Sequence, residues 1–279
     1  MISSKINNLS RSVLVIAGSD PSGGAGIQAD LKTLTSLGIY GMTAITALTV
    51  QNTKGVSDIH EVPIDIVKKQ IKACLSDINT NTIKIGMMHD AELIMGIYEA
   101  LENENVIKNH TTKIILDPVM VAKGGHKLLK IDAIDALKLF IKKSNPILTP
   151  NIPEAEILTD IKIKNVSDME KAGKIILKLG ASNVILKGGH LEEEEITDVL
   201  IDCKGSYKIK TIKTITKNTH GTGCTMASAL SAGIAKSFEI KDAFKMAHSY
   251  VNKAIASAPN FGNGNGPINH CHSINTFQY

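Results

Sequence analysis

One short unit recurs along this chain of 279 residues and narrows its fold more than any other feature. It is an apolar, β-branched run stopped by glycine or a polar cluster, then a turn, then apolar residues at helical spacing. Val13-Leu14-Val15-Ile16-Ala17-Gly18 is the first instance. A continuous apolar run of this kind predicts a strand covered on both faces, as in a parallel sheet. Residues 19–26 make a turn of small side chains, and Ile27, Leu31 and Leu34 then carry a helix up to Gly38. Further strands are predicted at residues 41–50, 83–86, 113–116, 146–149 and 183–187. Helices are predicted after Pro63 and over residues 91–104, 131–141, 167–179, 225–235 and 241–257. Residues 196–201 and 207–215 read as an antiparallel edge around an acidic run, Glu192 to Glu195, taken as a solvated tip. With short connections and no linker, this order predicts one three-layer α/β domain over residues 12–279, its sheet mostly parallel and covered on both faces by helices. Residues 1–11 read as a polar, frayed tail.

The formal charge is only +4, and the lysines are spread over many helices. Nucleic-acid binding calls for a dense basic patch, so that class is set aside. Cys74, Cys203, Cys224 and Cys271 form no C-x-x-C pair, which excludes zinc ribbons and thioredoxin motifs and leaves reduced thiols of a cytoplasmic chain. No apolar run approaches a membrane span, and the polar start lacks the apolar segment of a signal peptide. His270, Cys271 and His272 have no second ligand cluster and are read as tail residues.

The chemistry concentrates at strand ends and helix starts, where open α/β sheets bind ligands. Asn218 to Ser228 reads N-T-H-G-T-G-C-T-M-A-S, a glycine-rich turn entering a helix whose first turn is expected near residues 223–226. Free N–H groups and the helix dipole make such a start an anion cradle. Cys224 stands there, and the helix start is expected to lower its pKa and favour thiolate. A cysteine-hydrolase pairing of His220 with Cys224 is the alternative use of that thiol. Gln51 ends a strand and offers a donor and an acceptor together, suited to a heterocycle edge, or is a solvated loop residue. Asp117 leaves a third strand end and suits a metal or a ligand hydroxyl. Asn151 and Glu154 have capping-box spacing, while a metal-linked or water-mediated role is the sharper use of Glu154. Lys187, before Gly188 and Gly189, suits a phosphate contact. Asp30 caps its helix, faces solvent or reaches a ligand above the strand ending at Gly18. Gly24 to Ala29 matches a loose dinucleotide fingerprint but lacks the acidic residue about twenty positions on, and no P-loop lysine follows. Ala122-Lys123-Gly124-Gly125-His126 has the composition of a flap.

Together, A-G-S-D-P-S-G-G-A-G-I-Q-A-D from Ala17, T-V-Q-N-T from Thr49 and N-T-H-G-T-G-C from Asn218 resemble the hydroxymethylpyrimidine/phosphomethylpyrimidine kinases of thiamine biosynthesis, which share the ribokinase-like fold. K-I-G-M, D-P-V-M, T-P-N-x-x-E and K-G-G-H follow in the same order, so the resemblance covers nearly the whole chain. It implies ATP-dependent phosphorylation of hydroxymethylpyrimidine and then of its monophosphate, with Mg2+ as cofactor and a homodimer as the assembly. It implies that Gly18, Asp30 and Gln51 bind the pyrimidine, with Met87 and Val119 shaping the pocket. Asp117 and Glu154 would serve the magnesium. Lys187, Thr222 and Gly223 would meet ATP, Gly221 to Gly223 would form the anion hole, and Cys224 would be the general base. Pyridoxal kinases of the same lineage resemble V-C-K-G in the flap, where this chain has Ala122 in V-A-K-G-G. That kinase, and a non-catalytic nucleotide-binding regulator, are the competing readings.

Overall fold

A computed structural model describes residues 11–109, 111–121, 125, 128–191 and 194–274. The expected tail, apart from Arg11, lies outside the described residues, as do Ala122, Lys123, Gly124 and His126 of the glycine-rich loop and Glu192 and Glu193 of the acidic run. The strands are β1 (Ser12–Ser19), β2 (Tyr40–Asn52), β3 (Gly55–Glu61), β4 (Thr82–Ile85), β5 (Lys113–Leu116), β6 (Ile147–Leu148), β7 (Asn183–Leu186), β8 (Glu195–Asp202) and β9 (Gly205–Ile212). The helices are α1 (Gly26–Ser36), α2 (Ile64–Asp77), α3 (Ala91–Asn103), α4 (Ile134–Ser144), α5 (Ile152–Thr159), α6 (Val166–Leu179), α7 (Thr222–Ala235) and α8 (Ile240–Ala256).

All nine strands join one sheet in the order β3-β2-β1-β4-β5-β6-β7-β8-β9. The six central strands are parallel, and β3, β8 and β9 pair antiparallel at the two edges. Val13 to Ile16 are fully buried because helices cover both faces, which is why β1 carries no apolar–polar alternation. One face packs Leu14, Ile16, Ile83 and Ile85 against α2, α3 and α4 through Val67, Ile71, Ile94 and Phe140. The other packs Val13, Val15, Ile115 and Ile185 against α1, α7 and α8 through Leu34, Leu230 and Phe244. Each such side chain contributes roughly 1.5–3 kcal/mol by leaving water. Among the described residues no helix is long and apolar enough to cross a membrane.

Two expectations need correcting. The strand β3 was missed: it lies along one edge with most side chains partly or fully exposed, so its sequence lacks an apolar run. His270 is no tail residue, since its ring is buried and its Nε2 lies 2.9 Å from Thr225 Oγ1 in α7. The C-terminal segment also closes over the sheet edge. Asn265 N–H donates to the Thr53 carbonyl at 2.7 Å, and His220 N–H donates to the Gly266 carbonyl at 3.0 Å.

Candidate active site

The carboxyl ends of the parallel strands open into a cavity of about 800 Å³. Gly18, Gln51, Met87, Asp117, Val119, Glu154 and Lys187 line it, with Gly221, Thr222, Gly223 and Cys224 from the start of α7. Residues up to 206 positions apart, Gly18 and Cys224 being the extremes, thus share one space because each lies at a strand end, in the segment after one, or at the start of α7. Asp30 alone among the expected site residues does not line it. Its carboxylate is fully buried on α1, bonded to Lys84 Nζ at 2.8 Å and to the Ser228 hydroxyl at 2.6 Å. The expected place of Asp30 at the ligand is therefore corrected: it stands behind the cavity wall, and its partner Lys84 reaches the cavity instead.

Helix α7 begins at Thr222, one residue earlier than expected. Gly221 precedes it with φ of 85°, a left-handed conformation, and a Cβ there would stand 1.7 Å from the Gly24 carbonyl oxygen. Only glycine fits that close approach. No side chain caps this helix and no acid sits in its first turn, so its N–H groups face the cavity as an anion site. The expected low thiol pKa is not what the fold produces. Burial pushes Cys224 up to about 11, against the opposing charge of Lys84, and the Asp30 and Asp117 carboxylates push the same way. The helix start is outweighed because the thiol is largely enclosed and two acids add to the effect of burial.

Lys187 and Asp117 face each other across the parallel strands, Nζ to Oδ1 at 2.9 Å, and Thr149 Oγ1 donates to the same oxygen at 3.1 Å. Burial alone would lower the Lys187 pKa, but Asp117 and Glu154 raise it, so it stays a cation. A Cβ on Gly223 would lie 3.4 Å from both Asp117 Oδ2 and Lys187 Nζ, so glycine keeps the space before this pair open. Asn151 and Glu154 form the capping box of α5: Glu154 N–H donates to Asn151 Oδ1 at 2.9 Å, and Asn151 N–H donates to Glu154 Oε2 at 2.8 Å. Glu154 is nonetheless a cavity residue, and burial, with Asp117 nearby, raises its pKa to about 7 against the charge of Lys187.

Lys84 was not singled out from the sequence. A lysine inside an Ile-Lys-Ile strand stopped by glycine was the available signal. Burial would lower its pKa, yet Asp30, Cys224 and Asp117 together raise it, so it is held charged at the cavity floor. Asp20 and His220 were missed as a pair. His220 Nε2 meets Asp20 Oδ2 at 2.8 Å, so the imidazole is committed to Asp20 and not to Cys224. Burial raises the Asp20 carboxyl, but His220, Ser22 and Ala25 together hold it below its ordinary value.

The sequence profile described as Phosphomethylpyrimidine kinase matches residues 20–269. The chain is 42% identical to the hydroxymethylpyrimidine/phosphomethylpyrimidine kinase of Bacillus subtilis, over 92% of this chain and 93% of that protein. It is 45% identical to the thiamine biosynthesis bifunctional protein ThiED of Geobacter sulfurreducens over 93% of this chain, and spans about half, 52%, of that longer relative. Its fold resembles the crystal structure of a phosphomethylpyrimidine kinase from Clostridium difficile 630, with a TM-score of 0.76 and 43% identity over 88% of this chain and 99% of that one. It also resembles a Staphylococcus aureus pyridoxal kinase in complex with AMP-PCP and pyridoxal, with a TM-score of 0.84 and 35% identity over 93% of each chain.

Proposed function

We propose a reaction from the premise these similarities establish: the chain belongs to the phosphomethylpyrimidine kinase family. It phosphorylates hydroxymethylpyrimidine with ATP, and then the resulting monophosphate to the diphosphate, for thiamine biosynthesis. One observation carries the reading: an amide at a strand end, Gln51, shares a cavity with an uncapped helix start, a thiol and a Lys–Asp pair.

Phosphoryl transfer needs positioning and charge stabilisation more than covalent chemistry. Gln51 takes the aminopyrimidine edge, with Gly18, Met87 and Val119 shaping the ring pocket. The N–H groups of residues 221–223 receive the charge that develops on the transferred phosphoryl oxygens. Lys187 and Thr222 hold the ATP phosphates. Asp117 and Glu154 fit a magnesium ion, since both present hard carboxylate oxygens and Glu154 stands where a nearby cation would favour its ionised form. Bound there, the ion would neutralise phosphate charge.

Cys224 receives the hydroxymethyl proton as thiolate, after its own proton has passed to water in the cavity. With its pKa near 11, the thiol yields its own proton reluctantly, and Lys84 is the charge that favours thiolate. A hydroxyl donating to the sulfur favours it further. In a loose transition state the hydroxyl proton departs late, when the oxygen has already bonded to phosphorus and become acidic.

Residues 12–279 act as one domain in this reading. The free thiols of all four cysteines accord with a reducing cytoplasm. A homodimer would cover Leu48 and Val50, which stand 47% and 58% exposed on β2, and light scattering tests that assembly.

The test is ATP consumption with hydroxymethylpyrimidine, its monophosphate and pyridoxal side by side. The two pyrimidines are expected to be preferred, and preference for pyridoxal overturns the reading. In the same assay Cys224→Ala should lose about 10²–10⁴-fold in turnover while still binding the pyrimidine. Turnover like that of the unaltered protein removes Cys224 from the mechanism.

A further inference from the structure

Gln51 owes its usefulness to a network that reaches beyond the cavity wall. Its amide places Nε2 3.4 Å from His220 Nε2 and Oε1 3.2 Å from Thr49 Oγ1. Each of those neighbours is already committed. Thr49 has one hydroxyl proton, and it goes to the Ser19 carbonyl at 2.8 Å. His220 Nε2 stands 2.8 Å from the Asp20 carboxylate, an acceptor only, so this nitrogen carries its proton and donates it there. A protonated ring nitrogen accepts nothing from an amide N–H. One assignment of the amide suits both neighbours: the carbonyl end faces the His220 N–H, whose single proton it shares with Asp20, and the NH₂ end donates to Thr49 Oγ1. One N–H and one lone pair of Gln51 then remain for a ligand, in a fixed order along the edge.

Asp20 is itself immobilised. Its Oδ1 accepts from the Ser22 N–H at 2.9 Å and the Ser22 hydroxyl at 2.7 Å, and its Oδ2 accepts from the Ala25 N–H at 2.8 Å. The pair is buried, with Asp20 2% and His220 5% exposed. Glycine at position 24 makes room for the ring, because a Cβ there would stand 2.3 Å from His220 Cδ2. His220 also directly precedes Gly221, the residue that starts the anion site.

We infer that Asp20 and His220 are positioning residues that fix the polarity of the Gln51 amide, and so set which ring edge the kinase accepts. The inference rests on the reading of Gln51 as the pyrimidine contact. A ring carrying an amine beside a ring nitrogen presents a donor next to an acceptor, which matches the fixed order of carbonyl and N–H. A ring without the amine leaves the carbonyl end unpaired, and an unpaired buried polar group is costly.

The test compares His220→Leu, which removes the donor, with His220→Gln, whose amide N–H restores one. For His220→Leu the KM for hydroxymethylpyrimidine should rise about tenfold and the KM for ATP by less than about twofold, with preference over pyridoxal narrowed about tenfold. His220→Gln should stay within about threefold of the unaltered enzyme on all three. If His220→Leu fails to fold, Asp20→Asn takes its place and is expected to show the same split. Equal rises in both KM values, or no change in the pyrimidine KM, overturn the inference. A second readout does not depend on turnover. The Gln51 side-chain amide resonances of the nitrogen-labelled protein should shift in His220→Leu and hold in His220→Gln. Resonances that hold in both variants overturn the positioning role even if the protein proves to act on another substrate. An unaltered enzyme inactive on hydroxymethylpyrimidine, with resonances that do shift, sinks the substrate reading and leaves the pair intact.

Discussion

Two lysine–aspartate pairs act electrostatically on Cys224, and they differ in almost everything except distance. Lys84 and Asp30 meet at 2.8 Å with both side chains fully buried. Lys187 and Asp117 meet at 2.9 Å, but the lysine side chain keeps 16% exposure and both residues line the cavity. The sealed pair has a third partner, Ser228, which occupies the other Asp30 oxygen. The open pair faces Glu154 and the uncapped start of α7. The same two residue types therefore form a sealed pair in one place and a cavity-facing pair in the other. What separates them is burial: the Lys84 side chain is fully buried, while that of Lys187 keeps partial exposure to the cavity.

The largest effect expected from breaking this comparison is on the sealed side. Lys84→Met strands the Asp30 carboxylate without a counter-charge, which costs about 3–5 kcal/mol of stability. Thermal melting should fall on the order of 10 °C for a chain of this size. Replacing both partners, Asp30→Leu with Lys84→Met, should recover most of that loss, because a buried ion pair exchanged for apolar groups is often close to neutral. A single variant that melts with the unaltered protein would mean that the pair does not hold α1 to β4.

Lys187→Met should do the reverse. Asp117 is itself only 2% exposed, but Thr149 still donates to it and the Lys187 position opens to the cavity, so the loss of stability should be smaller than in Lys84→Met. Turnover should fall about 10²–10³-fold, the cost of removing one charged donor from a transition state. Should Lys187→Met melt lower than Lys84→Met, the assignment of the two pairs has been drawn the wrong way round.

The contrast also shows what the chain announces about itself. Strands such as Val13 to Ile16 were legible because burial on both faces demands an unbroken apolar run. The edge strand β3 was not, since an exposed strand has no such demand. Gln51, Asp117, Glu154 and Lys187 were legible as strand-end residues, and they share the cavity for that reason. Asp30 was legible as a residue and misplaced as a contact. Its fate depends on β4 lying beside β1, where Lys84 is opposite Val15, and no local pattern reveals that neighbour. The thiol of Cys224 was misjudged on the same ground: a helix start is visible in sequence, but the burial that overrides it comes from the assembled wall. His220 was weighed only against Cys224, because its actual partner, Asp20, lies 200 positions away in the chain.

The smallest effect sharpens the comparison at the sulfur itself. Cys203 and Cys271 are exposed, while Cys224 is only partly so and has its pKa pushed up to about 11. At about pH 8 iodoacetamide should alkylate the exposed cysteines on the order of 100-fold faster than Cys224, which is less open to the reagent and holds its proton. Cys224 labelling, followed by peptide mass, should rise with pH toward about 11. The sign for stability follows. The folded thiol holds its proton to higher pH than the 9.0 of an unperturbed one, so folding stability is lost as pH climbs from 9.0 through about 11. Cys224→Ala should flatten that slope. Lys84 lowers the thiol pKa and Asp117 raises it, so Lys84→Met should slow Cys224 labelling further and Asp117→Asn should speed it. If both variants change the rate in the same direction, the charges of the two pairs are not what sets this sulfur, and the contrast between them ends at structure.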